Sequence, residues 1–190
     1  GKAGRKFEAI RNWMHRDPSE LSQALDLLGE ATIAYLVAQV HAGAQMVQLF
    51  DTWLSEMPKA FFVSHYRPIL NRIFREVKKS KVPVIFFSKH AHHLLDEMQG
   101  LEMDVLSVDE LLSLGEVEAR TGGMFSLQVN LDPLLLFSNP AIVRRQTRAL
   151  VQQARGLKRP ALMNLGHGIL PGTPVESVRA FFEEARQLWV

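Results

Sequence analysis

The amino-acid sequence predicts an α/β fold in which the strands of a parallel sheet alternate with helices. Two observations lead to this prediction: apolar runs of strand length recur along the chain, and helical patterns lie between them. The five runs cover residues 46–50, 82–87, 105–108, 125–129 and 161–165. Because neighbouring parallel strands must be joined by long crossovers, which are usually helices, this alternation indicates one parallel sheet.

The helices are predicted from their starts and from their apolar spacing. Asp17, Pro18 and Glu20 provide an N-cap, a proline in the first turn and a capping-box glutamate. The stripe that follows at helical spacing consists of Leu21, Leu25, Leu28, Leu36 and Val40. Further starts are predicted at Ser113, Asn139 and Thr173. A helical stretch over residues 59–79 is predicted to break near Pro68, because proline cannot continue a helix.

Polar side chains follow each apolar run at the point where the strand ends. They are Asp51 and Thr52; Ser88, Lys89 and His90; Asp109; Asn130 and Asp132; Asn164 and His167. In parallel α/β folds the site forms at the carboxyl ends of the strands, so five such ends favour a (β/α)8-barrel type of fold. A complete barrel takes about 250 residues, so residues 1–190 are expected to form one partial barrel of about five units. The alternative is a five-stranded doubly wound sheet, although the sequence lacks a G-x-G-x-x-G or Walker loop.

Composition narrows the class of protein. The 22 basic and 20 acidic residues leave a net charge of only +2, and the basic stretches 72–81 and 144–159 suit solvated helix faces, so no nucleic-acid partner is expected. The sequence has no cysteine, which excludes disulfides and thiolate metal sites. No apolar run approaches the length of a membrane span, and residues 1–5 lack the apolar core of a secretion signal. We therefore expect a cytoplasmic protein without a membrane partner.

Three local motifs are candidates for chemistry, and each has a structural alternative. Two glycines flank His167, which suits either a ligand-binding histidine or a histidine of a tight turn. Asn130 and Asp132 either face a ligand cavity or satisfy the backbone of a turn. The cluster of His90, His92 and His93 contains an H-x-H pair that would share one face of a strand, but no third ligand set accompanies it, so no metal is expected.

In their order and spacing, these segments resemble the uroporphyrinogen decarboxylase family. The motifs that carry the resemblance are AGAQ at 42–45, QLFDT at 48–52, PVIFFSK at 83–89, Asp109, QVNLDP at 128–133, and NLGHGILP at 164–171 with Thr173 and Pro174 behind it. The pair QVNLDP and NLGHG is the most specific of them. The resemblance extends over nearly the whole chain and matches the C-terminal portion of the family's barrel.

The resemblance implies an enzyme that converts the acetate side chains of uroporphyrinogen III to methyl groups, giving coproporphyrinogen III in haem biosynthesis. It implies a tetrapyrrole substrate, a homodimer, and a reaction without metal or organic cofactor. By position, His167 matches the family's site histidine near a substrate carboxylate or pyrrole. Thr52 matches a hydroxyl residue that contacts a side-chain carboxylate. No residue of this chain is assigned a catalytic role.

The chain also departs from the family pattern. Val129 replaces the usual glycine, and residues 107–111 keep only Asp109 of the family's Gly-Leu-Asp-Trp-Thr. The family's arginine-rich loop, its substrate-binding aspartate and its active-site tyrosine precede the matching region, so these 190 residues are expected not to decarboxylate on their own. The alternatives are a corrinoid methyltransferase-related barrel, whose usual zinc thiolate the cysteine-free chain lacks, and a non-catalytic tetrapyrrole-binding or interaction module.

Overall fold

A five-stranded parallel sheet organises residues 7–188, the range that the computed structural model describes. Its strands are β1 (Val47–Asp51), β2 (Val84–Ser88), β3 (Val105–Val108), β4 (Ser126–Gln128) and β5 (Ala161–Leu162). Every neighbouring pair is parallel. All five predicted strands are confirmed, and β5 is shorter than predicted although Leu165 still pairs with Leu131 beyond its end.

The order of the strands decides between the two predicted architectures. A doubly wound sheet reverses its strand order at a switch point, whereas a barrel adds each strand beside the previous one. Here the spatial order β1-β2-β3-β4-β5 follows the chain throughout the described residues. The fold is therefore of the (β/α)8-barrel type with five units present, and the doubly wound alternative is wrong.

Helical segments precede the sheet and connect its strands. The α-helices are α1 (Glu8–Arg16), α2 (Pro18–His41), α3 (Lys59–Phe61), α4 (Arg67–Lys78), α5 (Leu114–Arg120), α6 (Pro140–Arg155) and α7 (Val175–Leu188). A π-helical turn (Phe62–Tyr66) and three 3₁₀ helices (Leu54–Glu56, His92–Met98 and Pro133–Phe137) complete the set for residues 7–188. The crossover between β2 and β3 carries only the second of these 3₁₀ helices, so this unit lacks an α-helix of its own.

The predicted helix starts are mostly confirmed. The side chains of Asp17, Ser113 and Asn139 each accept a hydrogen bond from a backbone amide in the first turn of α2, α5 and α6. The capping-box role predicted for Glu20 is wrong. Its carboxylate accepts a hydrogen bond from the indole nitrogen of Trp13 at 2.8 Å instead of from the backbone at the helix start. Thr173 donates its hydroxyl proton to the carbonyl of Leu170 at 2.7 Å, just before α7 begins.

The break predicted near Pro68 is confirmed. The π-helical turn ends at Tyr66, and Pro68 then lies in the first turn of α4. Proline donates no amide hydrogen bond and its ring crowds the carbonyl four residues earlier, so the wider turn ahead of it relieves the clash. From there α4 has a buried stripe that packs against the sheet and against α2, consisting of Ile69, Leu70, Ile73, Phe74 and Val77.

The apolar stripe predicted for α2 is correct except at one position. Leu21 and Leu36 are buried, but Leu28 is 63% exposed. The buried line passes through Gly29 instead, where a β-carbon would lie only 3.1 Å from Ile69 of α4. The glycine lets α2 and α4 approach closely, and this turns Leu28 outward together with Leu27 and Tyr35.

The core between the sheet and its helices is aromatic at its centre. Phe74 of α4 and Phe86 of β2 are fully buried, and their rings meet edge to face with centroids 5.5 Å apart. Fully burying such side chains stabilises the fold by about 1.5–3 kcal/mol each. All five residues of β2 are buried, which is typical of a central parallel strand covered on both faces.

None of the helices within residues 7–188 combines the length and the apolarity needed to cross a membrane. The prediction that the chain lacks a secretion signal was based on residues 1–5, which lie outside the described residues.

The end of β1 is held by a hydrogen bond to the helical layer. Tyr66 donates its phenolic proton to the carboxylate of Asp51, with oxygen atoms 2.8 Å apart. Burial raises the pKa of Asp51, while the hydrogen bonds from Tyr66 and from the Trp53 backbone oppose that rise. Burial likewise raises the pKa of Tyr66 well above its ordinary value, and the nearby Asp51 adds to the effect.

We expect Tyr66→Phe to destabilise the protein by about 1–3 kcal/mol at neutral pH, because it leaves the Asp51 carboxylate without its phenolic donor. A raised carboxyl pKa makes ionisation unfavourable for the folded state, so the penalty should shrink as the pH falls through that raised pKa and Asp51 becomes neutral. Urea unfolding at pH 7 and in mild acid measures both effects. Tyr35→Phe, at the exposed second tyrosine, is the control. Equal losses in the two variants would contradict the role of the hydrogen bond.

Candidate functional site

The inner face of the sheet is defined by the register of its strands. Phe50, Phe87, Ser107, Gln128 and Leu162 are paired across β1 to β5 and form one row. Because side chains alternate between the two faces of a strand, the residues two positions further on belong to the same face. That second row lies at the carboxyl ends of the strands and is polar, consisting of Thr52, Lys89, Asp109, Asn130 and Asn164.

Four residues of the first row and three of the second border a cavity of about 390 Å³ at the carboxyl ends of the strands. Its lining comes from β1, β2, β3 and β4 and from the segment after β5: Gln48, Phe50, Thr52, Phe87, Lys89, Ser107, Gln128, Asn164, Leu165, His167 and Gly168. Phenylalanine rings from two strands form an apolar wall. Lys89 contributes an amino group to the lining, and the other polar groups are amides, hydroxyls and one imidazole.

Both residues predicted to contact a ligand line this cavity. Thr52 follows the first strand and His167 follows the last, so the sheet brings together side chains that are far apart in sequence. The His167 ring is 23% exposed, and its Nδ1 lies 2.9 Å from the carbonyl oxygen of Gly168. A carbonyl only accepts hydrogen bonds, so Nδ1 is the donor in this contact.

A close contact behind His167 depends on a glycine. A β-carbon on Gly166 would lie 2.6 Å from the backbone nitrogen of Glu110, closer than real β-carbons come. Gly166 therefore allows the segment after β3 to reach the segment after β5. The result places Oε1 of Glu110 4.0 Å from Nε2 of His167. Sequence reasoning did not find Glu110, because nothing local links it to a histidine in a different unit.

Asn130 and Asp132 satisfy backbone groups of turns, which is the structural alternative considered for them, and do not face the cavity. The Asn130 amide donates to the carbonyl oxygens of Asp109 and Leu112 at 2.7 and 3.0 Å. Asp132 accepts a hydrogen bond from the backbone nitrogen of Leu134 at 2.8 Å and so caps a 3₁₀ helix. Neither residue lines the cavity between Thr52 and His167, whereas Gln128 of the same motif does, and its amide donates to the Ser107 hydroxyl at 3.0 Å.

The histidine cluster forms structural contacts rather than one face of a strand. β2 ends at Ser88, and His90 has a left-handed backbone with φ of 54°. His92 Nε2 contacts Oδ1 of Asp109 at 3.0 Å, and His93 Nε2 contacts the Met57 carbonyl at 3.0 Å. Among residues 7–188, no group of three or more histidine, aspartate or glutamate side chains is arranged to hold a metal ion.

Asp109 joins the ends of β2 and β3. Its carboxylate is 1% exposed and accepts from the backbone nitrogens of His90 and Leu111 as well as facing the His92 ring. Burial raises the pKa of Asp109, but the two backbone hydrogen bonds and the His92 ring outweigh burial, and the net effect is a lowered pKa. The ionised form therefore holds this corner of the cavity rim together.

Comparison with known proteins gives a consistent result over the whole chain. A sequence profile described as uroporphyrinogen decarboxylase (URO-D) matches residues 1–188. The uroporphyrinogen decarboxylase of Schizosaccharomyces pombe is 34% identical, and the match covers 98% of this chain and 54% of that protein. The corresponding protein of Idiomarina loihiensis is 35% identical, with 96% of this chain and 52% of the relative covered. The chain thus spans about half the length of these curated relatives.

Among solved structures, a methyltransferase from Methanosarcina mazei is similar with a TM-score of 0.84. The match covers 96% of this chain and 54% of that structure, at 23% sequence identity. At this identity the similarity shows a shared fold, and it agrees with the strand order described above.

We expect Asp109→Asn to destabilise the protein by about 1.5–3 kcal/mol at neutral pH, since an amide has one acceptor oxygen where the carboxylate serves three donors. A lowered folded-state pKa contributes stability that is complete above about pH 3.9 and is lost as the pH falls through the folded value. The stability curves of wild type and variant should therefore converge in acid. Asp96→Asn, which removes an exposed partner of Arg120, is the control and should cost at most about 1 kcal/mol. Parallel curves down to pH 2 would contradict this role.

Proposed function

Because the chain belongs to the uroporphyrinogen decarboxylase family, we propose that its cavity is part of a site that decarboxylates uroporphyrinogen to coproporphyrinogen. The observation that supports this most directly is the lining itself. A hydroxyl from Thr52, a cation from Lys89 and the imidazole of His167 surround an apolar wall formed by Phe50 and Phe87. Apolar walls suit a pyrrole ring, and the polar groups suit its carboxylate arms.

The proposed roles follow from what each side chain can donate. Thr52 donates a hydrogen bond to a carboxylate of the substrate, and His167 contacts a carboxylate or a pyrrole. Lys89 balances the negative charge of the substrate with its ammonium group. Gln128, held by Ser107, adds a polar side chain deeper in the cavity. None of these side chains is assigned the proton transfer itself.

The proposed reaction needs an electron sink, which the substrate can provide. Protonation of a pyrrole carbon makes the ring cationic, so that carbon dioxide can leave from the acetate arm. The exocyclic methylene that remains takes up a proton to become the methyl group, and the ring carbon loses the proton that it gained. No metal or organic cofactor takes part in this scheme. The task of the protein is to hold a polyanion and to stabilise a developing cation, which is the electrostatic contribution that usually dominates such barriers.

The proposal requires more of the barrel than these five units. In relatives the matched region makes up about half of the protein, and we propose that residues 1–190 form the C-terminal part of a single barrel domain. Phe50 lines the cavity yet is 63% exposed on the edge strand β1, so the wall is open there. Leu27 and Tyr35 form an apolar flank on α2 that a further helix would cover. A homodimer and a cytoplasmic location, both expected above, belong to the same proposal.

A second candidate is a non-catalytic tetrapyrrole-binding module. It is favoured by the cavity itself, which offers groups for holding carboxylates but none of the family's catalytic groups. The two candidates differ in turnover, not in binding. The corrinoid methyltransferase alternative gains no support from the site, because the chain has no thiolate to bind zinc.

The first experiment compares the 190-residue chain with a fusion that adds the part of the Schizosaccharomyces pombe relative which it does not match. We expect coproporphyrinogen from the fusion and none from the chain alone, because the open edge leaves the wall incomplete. Product is measured by chromatography after oxidation to porphyrin. Rapid turnover by the chain alone would show that the catalytic groups are misplaced in this proposal. Uroporphyrin binding without turnover by the fusion would favour the binding module.

In the active fusion, His167→Ala should reduce turnover roughly 10- to 150-fold, the equivalent of about 1.5–3 kcal/mol for a hydrogen bond to a charged group. Thermal unfolding should barely change, because a partly exposed cavity residue contributes little to packing. His93→Ala is the matched control, since His93 lies outside the cavity and contacts only the backbone of Met57 among the polar groups described. A large loss of melting temperature with unchanged turnover would make His167 structural.

A further inference from the structure

We propose that Ser107 selects which edge of a ligand enters the cavity, by holding the amide of Gln128 so that its carbonyl oxygen faces the ligand. The floor of the cavity then accepts a hydrogen bond from an N–H group, such as that of a pyrrole ring, and disfavours a carboxylate. The choice of a pyrrole rests on the function proposed above. Ser107 occupies the position of a glycine in the family motif, so the resemblance does not supply this role.

The hydrogen bond between the two side chains carries the proposal. Ser107 of β3 and Gln128 of β4 are paired across the sheet and belong to its inner face. The two residues are only 2% and 6% exposed, and both line the cavity. Nε2 of Gln128 donates to Oγ of Ser107 at 3.0 Å. They therefore form a buried polar pair in the floor of the cavity.

The neighbours in the same row offer the amide no other partner. Phe87 of β2 is paired with Ser107 on one side, and Leu162 of β5 is paired with Gln128 on the other. Neither of these apolar side chains has a hydrogen-bonding group. With a glycine at position 107 the amide would lose its partner in the row and could turn about its last bond, a torsion with two broad minima. The hydroxyl of Ser107 thus selects one of the two orientations.

This orientation leaves Oε1 of Gln128 as an acceptor for a ligand. Among the described residues, none donates a hydrogen bond to this oxygen, and it is not enclosed by the protein as Oε2 of Glu110 is. An amide oxygen accepts hydrogen bonds and does not donate them. A carboxylate placed against it would bring two acceptors together away from water, whereas an N–H group would satisfy it.

The donors that suit carboxylates lie nearer the mouth of the cavity. Thr52 and Lys89 belong to the row that follows the floor toward the strand ends, and His167 lies beyond β5. A pyrrole ring can therefore enter with its N–H edge toward the floor and its acidic arms toward the mouth. The volume of about 390 Å³ is near the lower end for ligand sites, which suits one ring with its arms.

The first test needs no ligand. It is NMR of the Gln128 side-chain amide in the 190-residue chain, with its signals identified by their loss in Gln128→Met. In wild type, one amide proton should exchange slowly with water, because it is held in a buried hydrogen bond. Ser107→Ala should abolish this protection, and Ser107→Thr should keep it, since threonine retains the hydroxyl. Equal exchange in wild type and Ser107→Ala would overturn the pairing.

The matched control is Ser126→Ala. Ser126 belongs to the neighbouring strand β4 and borders the cavity at the opposite end of the sheet, together with Lys78 and Lys81. The variant removes an equal hydroxyl from the sheet but not from the cavity floor. It should leave the exchange of the Gln128 amide unchanged.

Two small probes test the ligand: a pyrrole that bears one acetate and one propionate arm, and the furan with the same arms, whose ring oxygen replaces the N–H. We expect wild type and Ser126→Ala to bind the pyrrole about fivefold to tenfold more tightly, because the furan oxygen would face Oε1 of Gln128. Ser107→Ala should bind both probes about equally, because its released amide can turn an N–H toward the furan. Dissociation constants are measured by NMR titration of the chain.

The outcomes separate this inference from the proposed function. Equal affinity for the two probes in wild type, or an unchanged preference in Ser107→Ala, would overturn the role of Ser107 in selecting the ligand edge. A preference for the furan in wild type would overturn the orientation of the amide. Failure of both probes to bind while the Gln128 amide stays protected would reject the proposed function and its pyrrole ligand, and would leave the hydrogen-bonded pair standing.

Discussion

Parallel pairing of consecutive strands is the constraint on which the other features of this structure depend. After each strand the chain must return to the starting end of the sheet before the next strand begins, and it does so through its helical segments. All five carboxyl ends consequently lie at one edge. This geometry brings together the polar residues that follow the strands. Thr52 and His167 therefore share a cavity, although four of the five strands lie between them in the sequence.

Three acidic side chains close to the strand ends differ in their hydrogen-bond partners and therefore in their roles. Asp51 turns toward the helical layer, where a phenol holds it. Asp109 is saturated by donors from two segments and stabilises the rim in its ionised form. Of the three, Glu110 has a buried oxygen without a hydrogen-bond partner among the described residues, and its other oxygen lies 4.0 Å from the cavity histidine. The chemistry available to each carboxylate is therefore set by its number of donors.

The features that were predictable from sequence are those with local causes. Strand runs, the N-caps at Asp17, Ser113 and Asn139, and the disturbance ahead of Pro68 depend on residues within a turn or two, and all were confirmed. Leu28 was assigned to the wrong face because the choice between it and Gly29 is made by a neighbouring helix.

The site was predictable only in part, for the same reason. The rule that polar groups gather at the carboxyl ends of parallel strands placed Thr52 and His167 at the cavity. It did not separate Asn130, whose amide is used by two backbone carbonyls, from Gln128, which lines the cavity. That distinction depends on the loop after β3, which no pattern near Asn130 reveals.

The chain-order arrangement of the sheet also bears on how the molecule is made. A ribosome releases roughly 5–20 residues per second, and every strand here pairs with the one synthesised just before it. Within the described units, no strand has to wait for a partner that is distant in the sequence. Within the described units the nascent sheet therefore grows in one direction, from β1 towards β5, and each new strand is added at the advancing edge. Each newly paired strand is thus the edge to which a chaperone or a misplaced strand would first attach, until the next strand of the described units covers it.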